Sequence, residues 1–241
     1  MSYAVISDVH ANLEALEAVL GDIERRRVRG IYFLGDAVGY GPSPNECVAL
    51  LESSTKVRLA GNHDWAAIGL TDAGGFNPVA RAAIEWTATV LTDESREAIG
   101  RFSLVKVLPR QSVLMVHSSP LRPEEWHYVF TLSEAELNFS YFKQRTCLIG
   151  HSHQPFVVER LASGELRVHR EEAKIVRENR YLINVGSVGQ PRDRDARACY
   201  ALLDGGSVRF VRVEYAVGKT QAKMREAGLP QPLIERLSHG L

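Results

Sequence analysis

Cysteine is scarce: Cys47, Cys147 and Cys199 are the only three in 241 residues, widely spaced and without a Cys-x-x-Cys pair. That argues against a disulfide framework and a thiolate zinc site, and it suits a reducing compartment. Neither charge is in excess, since 29 basic side chains face 29 acidic ones. The molecule as a whole therefore has no pull toward a nucleic-acid backbone or an anionic membrane, and a long duplex is not an expected partner. Nowhere do roughly eighteen apolar residues run together, and the first residues lack a basic stretch followed by an apolar one. The expectation is a cytoplasmic protein with no membrane partner. Internal repeats, low-complexity tracts and Ser/Pro-rich linkers are also missing, which predicts a single domain over residues 1–241.

What is present is alternation. Tyr3 to Ser7 reads as a buried strand, and Leu13, Leu16, Leu20 and Ile23 recur at helical steps with Glu14, Glu17 and Glu24 around the other face. Residues 30–34 predict a second strand, 47–51 part of a helix and 56–59 a third strand. Helical spacing runs from Asn77 to Phe102, with a break at Thr92 and Asp93, where either side chain can cap a new helix. A strand over 113–116, a helix over 133–142 and a strand over 146–149 follow. Then come short strand-like runs at 156–159, 166–169, 181–185, 199–203 and 208–213, divided by turn residues. Two weak helical stretches, interrupted by Gly228, Pro230 and Pro232, close the chain. This order predicts an α/β fold whose second half builds an antiparallel or mixed sheet.

The polar residues able to bind metal fall where the strands end. Asp8-Val9-His10-Ala11-Asn12, Gly35-Asp36, Gly61-Asn62-His63-Asp64, His117 and Gly150-His151-Ser152-His153 each follow one strand, and five of the eight histidines lie in these loops. The carboxyl edge of an open α/β sheet is where ligands bind, so the five loops predict one shared site. Carboxylate, imidazole and one amide oxygen suit manganese, iron, zinc, nickel or cobalt. The seven candidates Asp8, His10, Asp36, Asn62, His117, His151 and His153 exceed what one ion takes. Two divalent ions roughly 3.5–4 Å apart, bridged by a carboxylate, would use them all and favour an anion such as phosphate.

These blocks, in this order, resemble the calcineurin-like metallophosphoesterase superfamily, and the stretch from Asn184 to Arg192 resembles the closing motif of its small bacterial members. The resemblance implies a four-layer α/β/β/α sandwich of two mixed sheets flanked by helices. It implies one metal on Asp8, His10, Asp36 and His153, the other on Asp36, Asn62, His117 and His151, and Asp36 as the bridge. It also implies that a hydroxide shared by the ions attacks phosphorus while His63 serves the leaving oxygen. Asn12 stands where many relatives have glycine, and either touches the phosphate or caps the helix. Asp64 either orients His63 or is a surface carboxylate at a helix start. Arg192 is a candidate phosphate clamp; Tyr40, Trp126, His127, Tyr128 and Arg122 are candidate substrate neighbours or ordinary packing and surface residues. The expected substrate is a small phosphoester, a diester first and a nucleotide or phosphoprotein monoester second. A third reading is a catalytically weak protein-binding scaffold of the same fold, which would be expected to lack some of these ligands.

Overall fold

The computed structural model describes residues 2–204 and 206–241. Its first part runs β1 (Tyr3–Ile6), α1 (Leu13–Arg25), β2 (Ile31–Phe33), α2 (Pro44–Ser54), β3 (Val57–Arg58) and α3 (Asn62–Ala67). The middle comprises α4 (Pro78–Val90), α5 (Asp93–Gly100), β4 (Val105–Leu108), β5 (Val113–Val116), α6 (Leu132–Asn138) and β6 (Thr146–Ile149). Then follow β7 (Phe156–Arg160), β8 (Leu166–His169), β9 (Glu172–Lys174), β10 (Arg180–Asn184), β11 (Ala198–Asp204), β12 (Ser207–Val213), α7 (Val217–Glu226) and α8 (Gln231–Arg236). Thr92 caps α5 by accepting the Ser95 N–H, as its position predicts.

Two six-stranded mixed sheets form, ordered β3-β2-β1-β11-β12-β9 and β4-β5-β6-β10-β7-β8. Strand alternation builds the four layers. In β1, Ala4 and Ile6 point to α1, α2 and α5 on the outer face, whereas Val5 points between the sheets to meet Met115, Leu148 and Ile183. In β6 the roles repeat: Leu148 faces the other sheet, while Cys147 and Ile149 pack outward with Ala135 and Phe139 around α6. Each sheet contains a parallel triplet, β1-β2-β3 in the first and β5-β6-β10 in the second. The loops leaving the carboxyl ends of these six strands meet, and this positions the site.

Four elements differ from the expectation. Strand β4 pairs with β5 at a sheet edge, but Val105, Lys106 and Val107 are all exposed, so neither face carries a buried pattern. In β9 only Ala173 is buried. Helix α3 begins inside the Asn62-His63-Asp64 block, and the helix predicted over 133–142 stops at Asn138. Among the described residues, no helix is long and apolar enough to cross a membrane.

Candidate metal centre

Backbone strain marks the centre. Asp8, His10, Asp36, His151 and His153 all lie in the left-handed region, with φ between 49° and 67°. Such a conformation costs a residue with a Cβ on the order of 1–3 kcal/mol, so the surroundings must impose it. Here the loops bond to one another: the N–H groups of Asp8, His10 and Ala11 donate to the carbonyls of Gly35, Asp36 and Ala37, and those of Val188 and Gly189 to Ser7 and Asp8. Two glycines clear space. A Cβ on Gly61 would meet Asp36 Oδ1 at 2.0 Å, and one on Gly39, whose φ is +86°, would meet His63 Nδ1 at 2.4 Å.

The carboxylates and imidazoles converge in two main groups, Asp8 with His10 and His153, and Asp36 with His117 and His151; a third joins His10, Asp36 and His63. In each group the ligand atoms lie within 4.8 Å of one another. Asp36 Oδ2 stands between the first two, 3.6 Å from His10 Nε2 and 3.3 Å from His117 Nε2. Asp8 Oδ1 is 3.4 Å from His153 Nε2. Carbonyls orient the rings: Nδ1 of His10, His117 and His153 faces the carbonyl oxygens of Val38, Leu34 and Gln190, and His151 Nε2 faces that of Trp126. An N–H donated to a carbonyl leaves the other ring nitrogen as a lone pair for a cation, so Nε2 of the first three and Nδ1 of His151 are the available atoms.

The residues present fit a cationic occupant. His10 Nε2 and His153 Nε2 are 3.1 Å apart, and with both Nδ1 atoms acting as donors, neither Nε2 has a proton to share. Asn62 Oδ1 is buried without a hydrogen-bond partner, and His117 Nε2 faces the Asp36 carboxylate at 3.3 Å. Burial pushes the Asp8 carboxyl up to about 7, aided by Asp36 and opposed by His117. Burial opposes the ionised form of Asp36 as well, but His117 and His63 hold it well below the carboxylate range. Burial depresses His10, His151 and His153, while Asp36 lifts the buried His117 to about 9. Two carboxylates and three neutral imidazoles with free lone pairs, closed to water, suit divalent ions.

Asp64 takes neither of its expected roles. It is fully buried and accepts the backbone N–H groups of Asp36 (2.9 Å), Ala37 (2.8 Å), Val38 (3.2 Å) and Gly61 (3.0 Å). It therefore shapes the Asp36 loop while starting α3. The only advance signal was a carboxylate at the third position of a short helix. Asn12 caps α1: Oδ1 accepts from Ala15 and Thr220, and Nδ2 donates to the Gly189 carbonyl. This gives it the capping role. His127 and Arg122 are exposed and pair with Glu125.

Beside the cluster opens a cavity of about 590 Å³ whose lining includes Tyr40, Asn62, His63, Phe76, Trp126, Tyr128 and His151. Tyr128 stacks on His151 with ring centroids 3.9 Å apart. The lining includes Asp72, Glu124 and Glu125 but no arginine or lysine. His63 sits at its inner end with Nδ1 buried and unpartnered. A larger groove of about 730 Å³ lies between α1, α2 and the amino end of β2, and none of the candidate ligands reaches it.

The sequence model of the calcineurin-like phosphoesterase superfamily domain matches residues 1–207. An uncharacterised protein of Methanocaldococcus jannaschii is 39% identical over 241 residues, which cover 98% of this chain and 97% of that one. The crystal structure of a metallophosphoesterase from Sphaerobacter thermophilus is 44% identical, with a TM-score of 0.88 over 100% of this chain and 99% of that one. A hypothetical protein from Pyrococcus horikoshii shares the fold at 23% identity and a TM-score of 0.80, covering 100% and 98% of the two chains. With the strained loops, the two acid–imidazole groups and the two-sheet sandwich already in place, these matches show that the chain belongs to the calcineurin-like phosphoesterase superfamily and is a metal-dependent phosphoesterase.

Proposed function

We propose that this phosphoesterase hydrolyses small phosphodiesters with two divalent transition-metal ions, manganese being the expected pair. Asp8, His10, Asp36 and His153 would hold one ion and Asp36, Asn62, His117 and His151 the other. When bound, such ions supply charge neutralisation at the phosphoryl oxygens and a water acidified toward neutral pH. The observation that carries the diester reading is the cavity beyond His63, large enough for a substituent in addition to the phosphate. Phe76, Trp126 and Tyr128 offer that substituent flat apolar faces.

His63 then serves the leaving oxygen. Its backbone N–H donates to Asp36 Oδ1 at 3.0 Å, which fixes the residue beside the acid. Burial outweighs the pull of Asp36 and holds its imidazole at about 4, so the ring is neutral in the free site and acts first as a hydrogen-bond donor. Protonated beside a bound phosphate, it then gives that proton to the leaving oxygen, help that contributes about 10²–10⁴-fold.

The test is hydrolysis of a chromogenic diester and its matching monoester by metal-stripped protein resupplied with Mn²⁺. Diester turnover that requires Mn²⁺ and falls by about 10²–10⁴-fold in His63→Ala, with metal content unchanged, supports the reading. A monoester preference would replace it with a phosphatase. Two bound metals without turnover of either ester would favour the scaffold reading, which the unpartnered Asn62 Oδ1 argues against.

A further inference from the structure

The last helices pack against the site. Helices α7 and α8 contribute Met224, Leu233, Ile234 and Leu237 to a cluster with Tyr40, Ala80 and Ala83. Thr220 reaches Asn12 and Glu14, and the Gly240 carbonyl accepts the Arg194 N–H. This tail lies beyond the residues that match the superfamily domain.

It carries one guanidinium toward another. Arg192 donates to Gln190 Oε1 from Nη2 at 2.8 Å and from Nε at 3.3 Å, and Arg236 Nη1 donates to the same oxygen at 3.3 Å. Two like charges thus share one neutral acceptor. Among the described residues, neither arginine has a carboxylate within 4.0 Å, although eight other arginines do. Arg236 Nε is buried without a partner, and so is Nε2 of Gln190, a residue only 1% exposed. The corner is rich in donors and short of acceptors, which is the signature of a missing anion.

Its position sets the kind of anion. Arg192 lies 5.7 Å from the Tyr40 ring centroid and also donates to the Tyr40 hydroxyl at 3.3 Å. The Tyr40 ring packs 4.6 Å from His10 and 4.4 Å from His63. The Gln190 carbonyl orients His153. Arg192 therefore borders the metal centre without belonging to it, one residue out from the ligands, and Arg236 joins it through Gln190. We propose that Arg192 and Arg236 form an anion subsite that selects substrates carrying a second phosphate next to the scissile one. This rests on the phosphoesterase reading above and narrows its substrate class. Arginine suits the task because its planar fork grips phosphate oxygens in pairs.

The first test compares AMP and ADP as competitive inhibitors of bis(4-nitrophenyl) phosphate hydrolysis at fixed free Mn²⁺. ADP should bind on the order of tenfold more tightly than AMP, as a charge-assisted hydrogen bond warrants. In Arg236→Gln the two inhibition constants should converge, and Arg236→Lys should restore part of the difference. Leu237→Ala, which loosens the tail without removing charge, should retain it. Equal constants in the wild type, an undiminished ADP advantage in Arg236→Gln, or its loss in Leu237→Ala would each overturn the subsite. The second test needs no turnover: pyrophosphate is titrated into metal-free protein while the arginine Nε–H resonances are followed. Shifts of Arg192 and Arg236 uphold the subsite even where no ester is cleaved, which would count against the proposed function alone. Ester hydrolysis without those shifts would sink the subsite and spare the function.

Discussion

Glu159 and Asp36 are both largely buried carboxylates facing histidine, yet the clusters around them are built in opposite ways. Glu159 lies on regular strand β7 and its cluster is closed. Oε1 accepts from Asn179 at 2.7 Å and from the Tyr181 hydroxyl at 2.9 Å, and Oε2 meets His169 Nε2 at 2.9 Å. The Asp36 cluster is open, with left-handed backbone at five candidate ligands, lone pairs turned on one another and two polar atoms without partners. A closed network stabilises the fold by itself, whereas an open one leaves its interactions to be completed by what binds.

The strongest way to break that contrast is Asp8→Asn. Removing this carboxylate should abolish metal binding in its group and reduce turnover to background, as read by metal analysis and diester hydrolysis. The same change should raise the thermal midpoint of the metal-free protein at pH 8. Burial and Asp36 raise the Asp8 carboxyl from 3.8 to about 7, so the folded state holds a proton that the unfolded state releases. Stability from that group is present below 3.8 and lost as pH rises through about 7. Asparagine removes the penalty while keeping an acceptor for the His151 N–H. A lower midpoint would mean that the open cluster is structural after all.

A smaller effect is expected one layer out. Asp64 receives four backbone N–H groups around the Asp36 loop, and Asp64→Asn replaces one acceptor oxygen with a donor. Metal affinity should weaken by about 10–100-fold, the usual cost of losing a group that orients ligands. Titration of the metal-free variant with Mn²⁺ checks this, and wild-type affinity would show that the loop holds its shape unaided.

The open cluster was the legible one. Its residues stand at the ends of apolar runs, and a histidine after a strand is conspicuous in a chain with eight of them. The strands β1 and β6 were legible too, as short apolar runs, whereas the four-layer stacking was implied only by the family resemblance. Where sequence reading fell short, the determining partner is distant. Glu159 and His169 sit on paired strands, and nothing local announces that Asn179 and Tyr181 will close over them. Asp64 read as either a partner for His63 or a surface acid, because its four donors come from two separate turns. Arg236 comes from a weak helical stretch with two nearby prolines, and its meeting with Arg192 depends on how the tail packs. Strand β4 escaped for another reason: an exposed edge strand needs no apolar face.

Glu159→Gln should have the smallest effect and gives the sharpest view of the closed cluster. Burial disfavours the Glu159 charge, but Asn179, His169 and Tyr181 more than offset it and hold the carboxyl below its ordinary 4.5. Its stabilising contribution is therefore present above 4.5 and lost as pH falls through the folded value. Glutamine keeps the shape and one acceptor, so the cost at pH 7 should be about 1 kcal/mol in urea denaturation. Diester turnover and metal content should stay at wild-type values, since no candidate ligand touches Glu159. As pH falls from about 4.5 through the folded value the two stability curves should converge, because the wild type loses a charge that the variant never had. Parallel curves would mean that the network acts through shape alone, and a loss of turnover would mean that the two clusters are coupled across the second sheet.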